Sequence, residues 1–204
     1  DEIFVDGLGV RYVVLGDDFR FGNDRQGDIG FIQRHGERYN YQAGPTPTLL
    51  GDGERVSSTR IREALEAADF DQAERLLGRP YSISGKVIYG RQLGQTIGTP
   101  TANLELRRLR APLAGVYAVE VDGAGLQGAL GVANVGVRPT VDDSIKANLE
   151  VHLLDREIEL YGQHIEVTFR HKLREEKKFG SVEELMDNIA RDIDDTRAWF
   201  AARN

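Results

Sequence analysis

The stretch of this chain best suited to chemistry sets four glycines ahead of a Pro-Thr-Ala-Asn tetrapeptide. Between residues 85 and 103 these are Gly85, Gly90, Gly94 and Gly98. Glycine lets the backbone approach a ligand closely, so a loop here can offer N–H groups to phosphates. On an extended strand Thr101 and Asn103 share a face, and their neutral oxygens suit Mg²⁺, which takes further ligands from nucleotide phosphates. A glycine-rich hairpin followed by an ordinary strand explains the same pattern, so the motif alone leaves both interpretations open.

A second candidate lies in the segment ANLEVHLL, where polar and apolar residues alternate. The alternation places Asn148, Glu150 and His152 on one face of a predicted strand. A carboxylate that points into a barrel mouth beside a phosphate-binding loop would be a natural general base, and Glu150 is the candidate. The alternative is a half-buried sheet with a polar solvent face. His152 lies one pleat away from Glu150, and we interpret it as structural.

Two more segments allow either a ligand or a simple structural role. In KLREEKKF, Arg174 can hold a substrate by planar, bidentate contacts, although such a charged run also suits a solvated loop before a helix. In GVANVGVRPT, Asn134 and Arg138 lie near glycines as ligand-binding residues do, and turn formation explains them equally well.

Composition narrows the classes of partner. The chain has 204 residues, a net charge of −7 and no cysteine. The acidic balance argues against nucleic acid as a main partner, while local N–H groups and arginines still permit ATP. The absence of cysteine removes disulfides and thiolate metal sites and fits a reducing cytoplasm. No apolar run approaches the roughly 18 residues that cross a bilayer, so no membrane association is expected.

The pattern of elements changes near Gly78–Pro80. Before it, a buried strand at residues 12–15 and helices after Ser57 and over residues 70–77 indicate an α/β segment. After it, several short strands at regular spacing favour an antiparallel barrel or sandwich. These predicted strands cover residues 82–89, 115–121, 129–137, 147–154 and 164–169. A long helix, preceded by the capping-box pattern of Ser181 and Glu184, closes the chain.

These motifs, in this order, resemble those of the bacterial bifunctional riboflavin kinase/FMN adenylyltransferase family. GDDFRFG and SSTRIREAL resemble the later adenylyltransferase motifs, and the segments from LLGRPYSISGKVIYGRQLG to LREEKKF resemble the kinase domain. The resemblance implies an α+β protein: a partial Rossmann-like nucleotidyltransferase segment at residues 1–78, then a kinase domain at residues 79–204. The kinase domain would be an antiparallel β-barrel with a C-terminal helix.

The resemblance also implies a reaction and its residues. A riboflavin kinase transfers the γ-phosphoryl group of ATP to the riboflavin 5′-hydroxyl, giving ADP and FMN. By this likeness Thr101 and Asn103 hold Mg²⁺ and the ATP phosphates, and Glu150 is the catalytic base. Arg174 would lie near the flavin. The remaining expected nucleotide or flavin contacts are Gly85, Lys86, Gly90, Arg91, Gly94, Gly98 and Asn134.

The chain departs from the family pattern at its front. It lacks the family's first nucleotide motif with its histidine pair and does not begin with Met, so we expect a fragment that makes no FAD alone. Smaller departures are Thr99, where a large apolar residue is usual, and Gln95, where a basic residue is common. Two alternatives stay open: an FMN adenylyltransferase, if the missing segment exists, and a flavin-binding module without catalysis. The sequence gives no prediction of oligomeric state.

Overall fold

Contacts divide the chain into two compact units, residues 1–56 and 57–204. The structure, a computed structural model, describes residues 2–51, 53–90, 98–104, 106, 112–139, 145–156 and 158–203. This division, after residue 56, comes earlier in the chain than the domain boundary predicted from the sequence at residues 78–80. The predicted boundary separates the adenylyltransferase-like segment from the kinase-like segment, and it stays a prediction.

The first unit contains a parallel βαβ arrangement. A helical turn at Glu2–Gly7 precedes β1 (Tyr12–Gly16), α1 (Ile29–Tyr39), β2 (Gln42–Thr46) and the hairpin of β3 (Leu50–Gly51) and β4 (Glu54–Arg55). β1 and β2 pair in parallel, as a crossover through a helix requires. Asp28 caps α1 by accepting a hydrogen bond from the Phe31 amide at 2.8 Å. The predicted α/β segment is therefore confirmed.

The second unit begins with two short helices, α2 (Ser58–Glu66) and α3 (Phe70–Leu77). Ser57 caps α2 through the Arg60 amide, and α3 ends at Gly78, whose φ of 72° is left-handed. The Phe70 ring packs edge-on against Tyr117, with 5.9 Å between the ring centroids. The two helices thus contribute to the same core as the strands that follow.

Six antiparallel strands form a closed barrel, which confirms the predicted architecture. The strands are β5 (Ser82–Ile88), β6 (Ala102–Leu104), β7 (Gly115–Gly123), β8 (Leu126–Pro139), β9 (Ile145–Leu153) and β10 (His164–Arg174). Around the barrel the order is β5, β6, β9, β8, β7, β10 and back to β5. Closure leaves no free sheet edge along these strands.

The barrel interior is apolar and closely filled. Its largest fully buried side chains are Tyr117 and Phe169, whose rings pack edge-on with 5.4 Å between centroids. The Tyr117 hydroxyl donates to the Ala114 carbonyl at 2.7 Å, and burial raises the pKa of Tyr117 to about 12. Because side chains alternate along a regular strand, about half of them face outward, and the alternation is interrupted on β10 by register shifts between Phe169 and His171 and between Lys172 and Arg174.

A long helix, α4 (Val182–Ala201), follows the barrel. The Ser181 hydroxyl accepts from the Glu184 amide at 3.1 Å, which is one of the two bonds of the predicted capping box. The Glu184 carboxylate instead accepts from the Gly180 amide at 3.0 Å and from Lys177 at 2.7 Å. The Lys177 bond is the main reason why the pKa of Glu184 is lowered. Among the described residues, no helix has the length and apolar character needed to cross a membrane.

Candidate active site

Strand register brings the separately predicted polar residues into one row across the barrel wall. Asn103 on β6 is the partner of Glu150 on β9, and Glu150 is also the partner of Asn134 on β8. The row continues through Val116 on β7 to Arg174 on β10. Directly opposed residues of antiparallel strands have Cβ atoms about 4.5–5.5 Å apart, so the first three side chains are immediate neighbours.

This row lies on the outer face of the barrel. Leu149 and Val151, on either side of Glu150, belong to the buried core inside. Glu150 therefore points away from the barrel interior, whereas the sequence analysis considered a carboxylate that points into the barrel mouth. Asn134 likewise lies in the middle of β8 and not in a ligand loop or turn. Its neighbours Ala133 and Val135 are buried in the core, so the Asn134 side chain points to the outer face of the barrel.

Three neutral oxygens near this row are buried and have no hydrogen-bond partner among the described residues. They are Thr99 Oγ1, Asn103 Oδ1 and Asn134 Oδ1. Leaving such an atom unsatisfied costs about 1–3 kcal/mol, so these atoms are suited to bind an ordered water or a ligand. Oxygen donors of this kind fit Mg²⁺ or the waters it carries. Among the residues described, no group of three or more histidine or acidic side chains forms a site for another metal.

Gly90 makes room for the Asn103 side chain. A Cβ atom on Gly90 would lie 2.3 Å from Asn103 Nδ2 and 2.6 Å from Oδ1. No side chain fits in that space without moving the amide. Close approach, and not turn formation, is thus the physical reason for glycine at this position.

The Glu150 carboxylate is oriented from its own strand. Asn148 Nδ2 donates to Glu150 Oε1 at 2.9 Å. The two residues share the outer face as the alternation predicted. The bond fixes one carboxylate oxygen of Glu150 against its own strand.

His152, the third member of the polar face, contacts the tetrapeptide. Its Nδ1 lies 2.9 Å from the Pro100 carbonyl oxygen. The side chain therefore bridges β9 and the segment that carries Thr101.

Arg174 is held by the C-terminal helix. Its Nε and Nη2 donate to the two carboxylate oxygens of Asp192 at 2.8 and 2.7 Å, and Nη1 donates to the Glu175 carbonyl. The guanidinium also lies over the Phe179 ring, 5.6 Å from its centroid. The Asp192 side chain is only 7% exposed, so this is a largely buried pair. Planar bidentate pairing, expected for Arg174 with a substrate, is thus made with Asp192.

Four members of the row line a cavity of about 180 Å³ between the outer barrel wall and α4, which we call the wall cavity; they are Val116, Asn134, Glu150 and Arg174, whereas Asn103 does not line it. One side carries Glu150, His152 and Asn134, and the other is closed by apolar and charged residues of α4 and the preceding loop. The latter are Glu176, Lys177, Phe179, Leu185, Ile189 and Asp192. The cavity thus combines an apolar wall with a carboxylate, an arrangement suited to a small organic alcohol.

A larger cavity of about 710 Å³, the end cavity, adjoins it. Its lining includes Gly98, Pro100, Tyr161 and the Val151 and Leu153 side chains. Gly98 has a φ of 77°, a left-handed conformation that glycine adopts without strain. Thr101 lines both cavities.

Not every predicted residue belongs to this constellation. Gly85 and Lys86 lie within β5, paired with β10, and not in the loop beyond it. They line neither cavity, and their contact with a nucleotide stays a prediction. Arg91, Gly94 and Gln95 fall outside the described residues.

Thr99 and Asp192 line the wall cavity but are not among the predicted site residues. The sequence marks Thr99 only as a departure from the family. His152 also lines the cavity, and its contact with the Pro100 carbonyl agrees with the interpretation of this side chain as structural. Asp192 did leave a signal, because it stands seven residues after Leu185 and three after Ile189 on the apolar side of the helix. An acid at such a position indicates a buried partner.

Comparison with protein-family models gives two matches. The riboflavin kinase model matches residues 77–200, and the FAD synthetase model matches residues 1–60. The kinase match covers the barrel and nearly all of α4.

Individual proteins agree with these models. A bifunctional riboflavin kinase/FMN adenylyltransferase of Pseudomonas fluorescens is 53% identical over 201 residues, covering 98% of this chain and 64% of the relative. The Escherichia coli K12 protein of the same description is 48% identical over 199 residues, covering 98% of this chain and 63% of the relative. The chain thus spans just under two thirds of the length of these relatives.

A solved structure is similar over most of the chain. It is described as a macrolide-efflux protein from Streptococcus pneumoniae and is 32% identical, with a TM-score of 0.68. The match covers 96% of this chain and 62% of that one. Since the kinase model matches more than half of the chain, and the resemblance seen in the motifs is confirmed, this protein belongs to the riboflavin kinase family.

Proposed function

We propose that this chain is a riboflavin kinase that transfers the γ-phosphoryl group of ATP to the 5′-hydroxyl of riboflavin, giving FMN and ADP. The observation that carries the proposal is the row of Asn103, Glu150 and Asn134 on three adjacent strands. It sets a carboxylate beside neutral amide oxygens that have no hydrogen-bond partner in the described part of the chain, and positioned polar groups of this kind suit phosphoryl transfer to an alcohol. Membership of the riboflavin kinase family supports the choice of alcohol.

The two cavities suggest where each substrate binds. The end cavity, at about 710 Å³, has the volume of a nucleotide-sized pocket, and Gly98 and Pro100 lie at its edge. The wall cavity, at about 180 Å³, is too small for a whole flavin and suits the ribityl end. With ATP in the first and the ribityl chain in the second, the γ-phosphate and the hydroxyl approach each other beside Thr101.

Glu150 then serves as the base. A ribityl alcohol is a weak acid, so the carboxylate first orients the hydroxyl and accepts its proton as the new bond forms. The hydroxyl oxygen bonds to the γ-phosphorus while the bond from phosphorus to the β,γ-bridging oxygen breaks, and ADP leaves. Asn148 keeps the carboxylate in place through its 2.9 Å hydrogen bond.

The residues present fit Mg²⁺. Thr101 and Asn103 would hold it, since the Asn103 oxygen is buried without a partner among the described residues. When bound, Mg²⁺ neutralises charge on the phosphate oxygens. Gly90 keeps the space that the Asn103 amide needs for this role.

Product analysis tests the proposal. The chain is incubated with riboflavin, ATP and Mg²⁺, and the flavins are separated by chromatography. We expect FMN as the sole new flavin. No FMN, together with quenching of riboflavin fluorescence on binding, would overturn the kinase and leave a flavin-binding module.

A second candidate activity is FMN adenylyltransferase, which forms FAD from FMN and ATP. The FAD synthetase match over residues 1–60 favours it, as do the bifunctional relatives. The same assay with FMN in place of riboflavin decides, because FAD would then appear. The cytoplasmic location expected from the composition stays a prediction.

A further inference from the structure

The strand ladder between β6 and β9 stops at the tetrapeptide. Ala102 is the partner of Val151, and continuing the register by one residue sets Thr101 opposite His152. Pro100 comes next and has no N–H to donate, so the ladder cannot extend through it. Pro100 is exposed, and its carbonyl oxygen can accept from a donor other than the strand backbone.

The His152 side chain supplies that donor. A carbonyl oxygen can only accept, so Nδ1 carries the hydrogen in the 2.9 Å contact with Pro100. Thr101 is consequently fixed from both sides, by this bond at Pro100 and by strand pairing at Ala102. The ring occupies the same outer face as Glu150, two residues along β9.

This arrangement connects the proposed nucleotide contact, Thr101, with the proposed base, Glu150. Thr101 lines both cavities, and Glu150 and His152 line the wall cavity. A single strand therefore carries both the base and the side chain that sets the position of Thr101. A shift of about 1 Å in such a group can cost 10²-fold in rate.

We infer that His152 is a positioning residue: it holds the Pro100 carbonyl so that Thr101 meets the nucleotide phosphates at the correct distance from Glu150. The inference deepens the proposed function and rests on it for the identity of the ligand. His152 acts through Thr101 and takes no proton from the substrate.

Three substitutions separate this role from others. In His152→Asn the side-chain N–H occupies nearly the place of Nδ1–H, whereas His152→Gln carries its N–H one bond farther out, and His152→Leu has none. We expect His152→Asn to keep kcat and the KM for Mg·ATP within about threefold of wild type. The other two should lower kcat/KM for Mg·ATP by about 10- to 100-fold, with the KM for riboflavin nearly unchanged. His164→Leu, which removes an exposed histidine of β10, is the matched control.

Hydrogen exchange of the unliganded protein gives a readout independent of activity. A peptide containing residues 100–104 should exchange faster in the Gln and Leu variants and at the wild-type rate in His152→Asn. If His152→Asn is as impaired as His152→Leu, or if all three variants match wild type, the inference is wrong. A fall in kcat alone, equal to that of a Glu150 variant, would instead make His152 a proton carrier and overturn the inference. If wild type forms no FMN while the exchange pattern appears as expected, the proposed function fails and the positioning of Thr101 stands.

Discussion

At the scale of single residues, the close approach of Gly90 to Asn103 gives a reason for glycine that does not depend on contact with a ligand. Asn103 is only 5% exposed, so its amide has little room to move aside. In Gly90→Ala the new Cβ would lie 2.3 Å from Asn103 Nδ2. We expect kcat/KM for Mg·ATP to fall about 10²-fold and the free energy of unfolding to fall by about 1–3 kcal/mol.

Steady-state kinetics and urea unfolding check this prediction. The control is Gly180→Ala, since a Cβ there would meet only Glu184 Oε2 at 3.6 Å. Equal effects of the two substitutions would contradict the role of close approach.

Glu150 supports a second prediction at this scale. Glu150→Gln keeps the shape of the side chain and removes its capacity to accept a proton. We expect kcat to fall about 10²- to 10⁴-fold, while the Kd for riboflavin, measured by fluorescence quenching, changes little.

Another outward glutamate of the barrel offers the control. Glu166 on β10 accepts from Ser82 at 2.5 Å and lines neither cavity, so Glu166→Gln should leave kcat unchanged. Parallel losses of binding and turnover in Glu150→Gln would mean that the carboxylate is structural.

At the scale of elements, two ion pairs attach α4 to the barrel in contrasting surroundings. Arg174–Asp192 is bidentate, with side chains 26% and 7% exposed. Arg197–Asp155 is also 2.7 Å long, but its side chains are 48% and 72% exposed. Removing one partner of a buried pair leaves an uncompensated charge, whereas an exposed pair contributes little because water and salt screen it.

The contrast predicts unequal effects of matched substitutions. Asp192→Asn should lower the free energy of unfolding by roughly 3 kcal/mol and raise the KM for riboflavin, because α4 forms one wall of the cavity. Asp155→Asn should change stability by no more than about 1 kcal/mol and leave the KM alone. Urea unfolding and initial rates at varied riboflavin measure both. If Asp155→Asn lowered the free energy of unfolding more than Asp192→Asn, the exposed pair and not the buried pair would be the main attachment of α4.

At the scale of the whole molecule, the second unit contains a complete core. Leu65 and Ala73 of α2 and α3 belong to the same buried cluster as the barrel interior. Phe70 also stacks on Phe169, with 6.4 Å between ring centroids. We therefore expect α2 and α3 to stabilise the barrel by completing its core.

The chain can be cut at two places to test this. A fragment of residues 57–204 should fold cooperatively and form FMN at a rate within a few fold of the full chain. A fragment of residues 79–204 loses Leu65, Phe70 and Ala73 from the core, and removing even one large buried side chain costs about 2–5 kcal/mol. We expect it to unfold at a clearly lower Tm by circular dichroism. Equal Tm values for the two fragments would show that α2 and α3 contribute nothing to the barrel.

The sequence by itself determined features that depend on neighbours along the chain. The alternation around Glu150 predicted which residues share a face, and Ser181 could be recognised as a helix cap. The regular spacing of strands and turns predicted an antiparallel barrel or sandwich, the order of motifs predicted the family, and the resemblance to that family implied the barrel. These signals are local, because side-chain period and capping act within a few residues.

Only the tertiary structure decided which residues meet. The register of three strands set Asn103, Glu150 and Asn134 side by side, closure of the barrel turned them outward, and α4 brought Asp192 to Arg174. Each of these contacts joins residues distant in sequence. Such contacts follow from packing the whole core, since a shift of one residue in register would move every side chain to the opposite face.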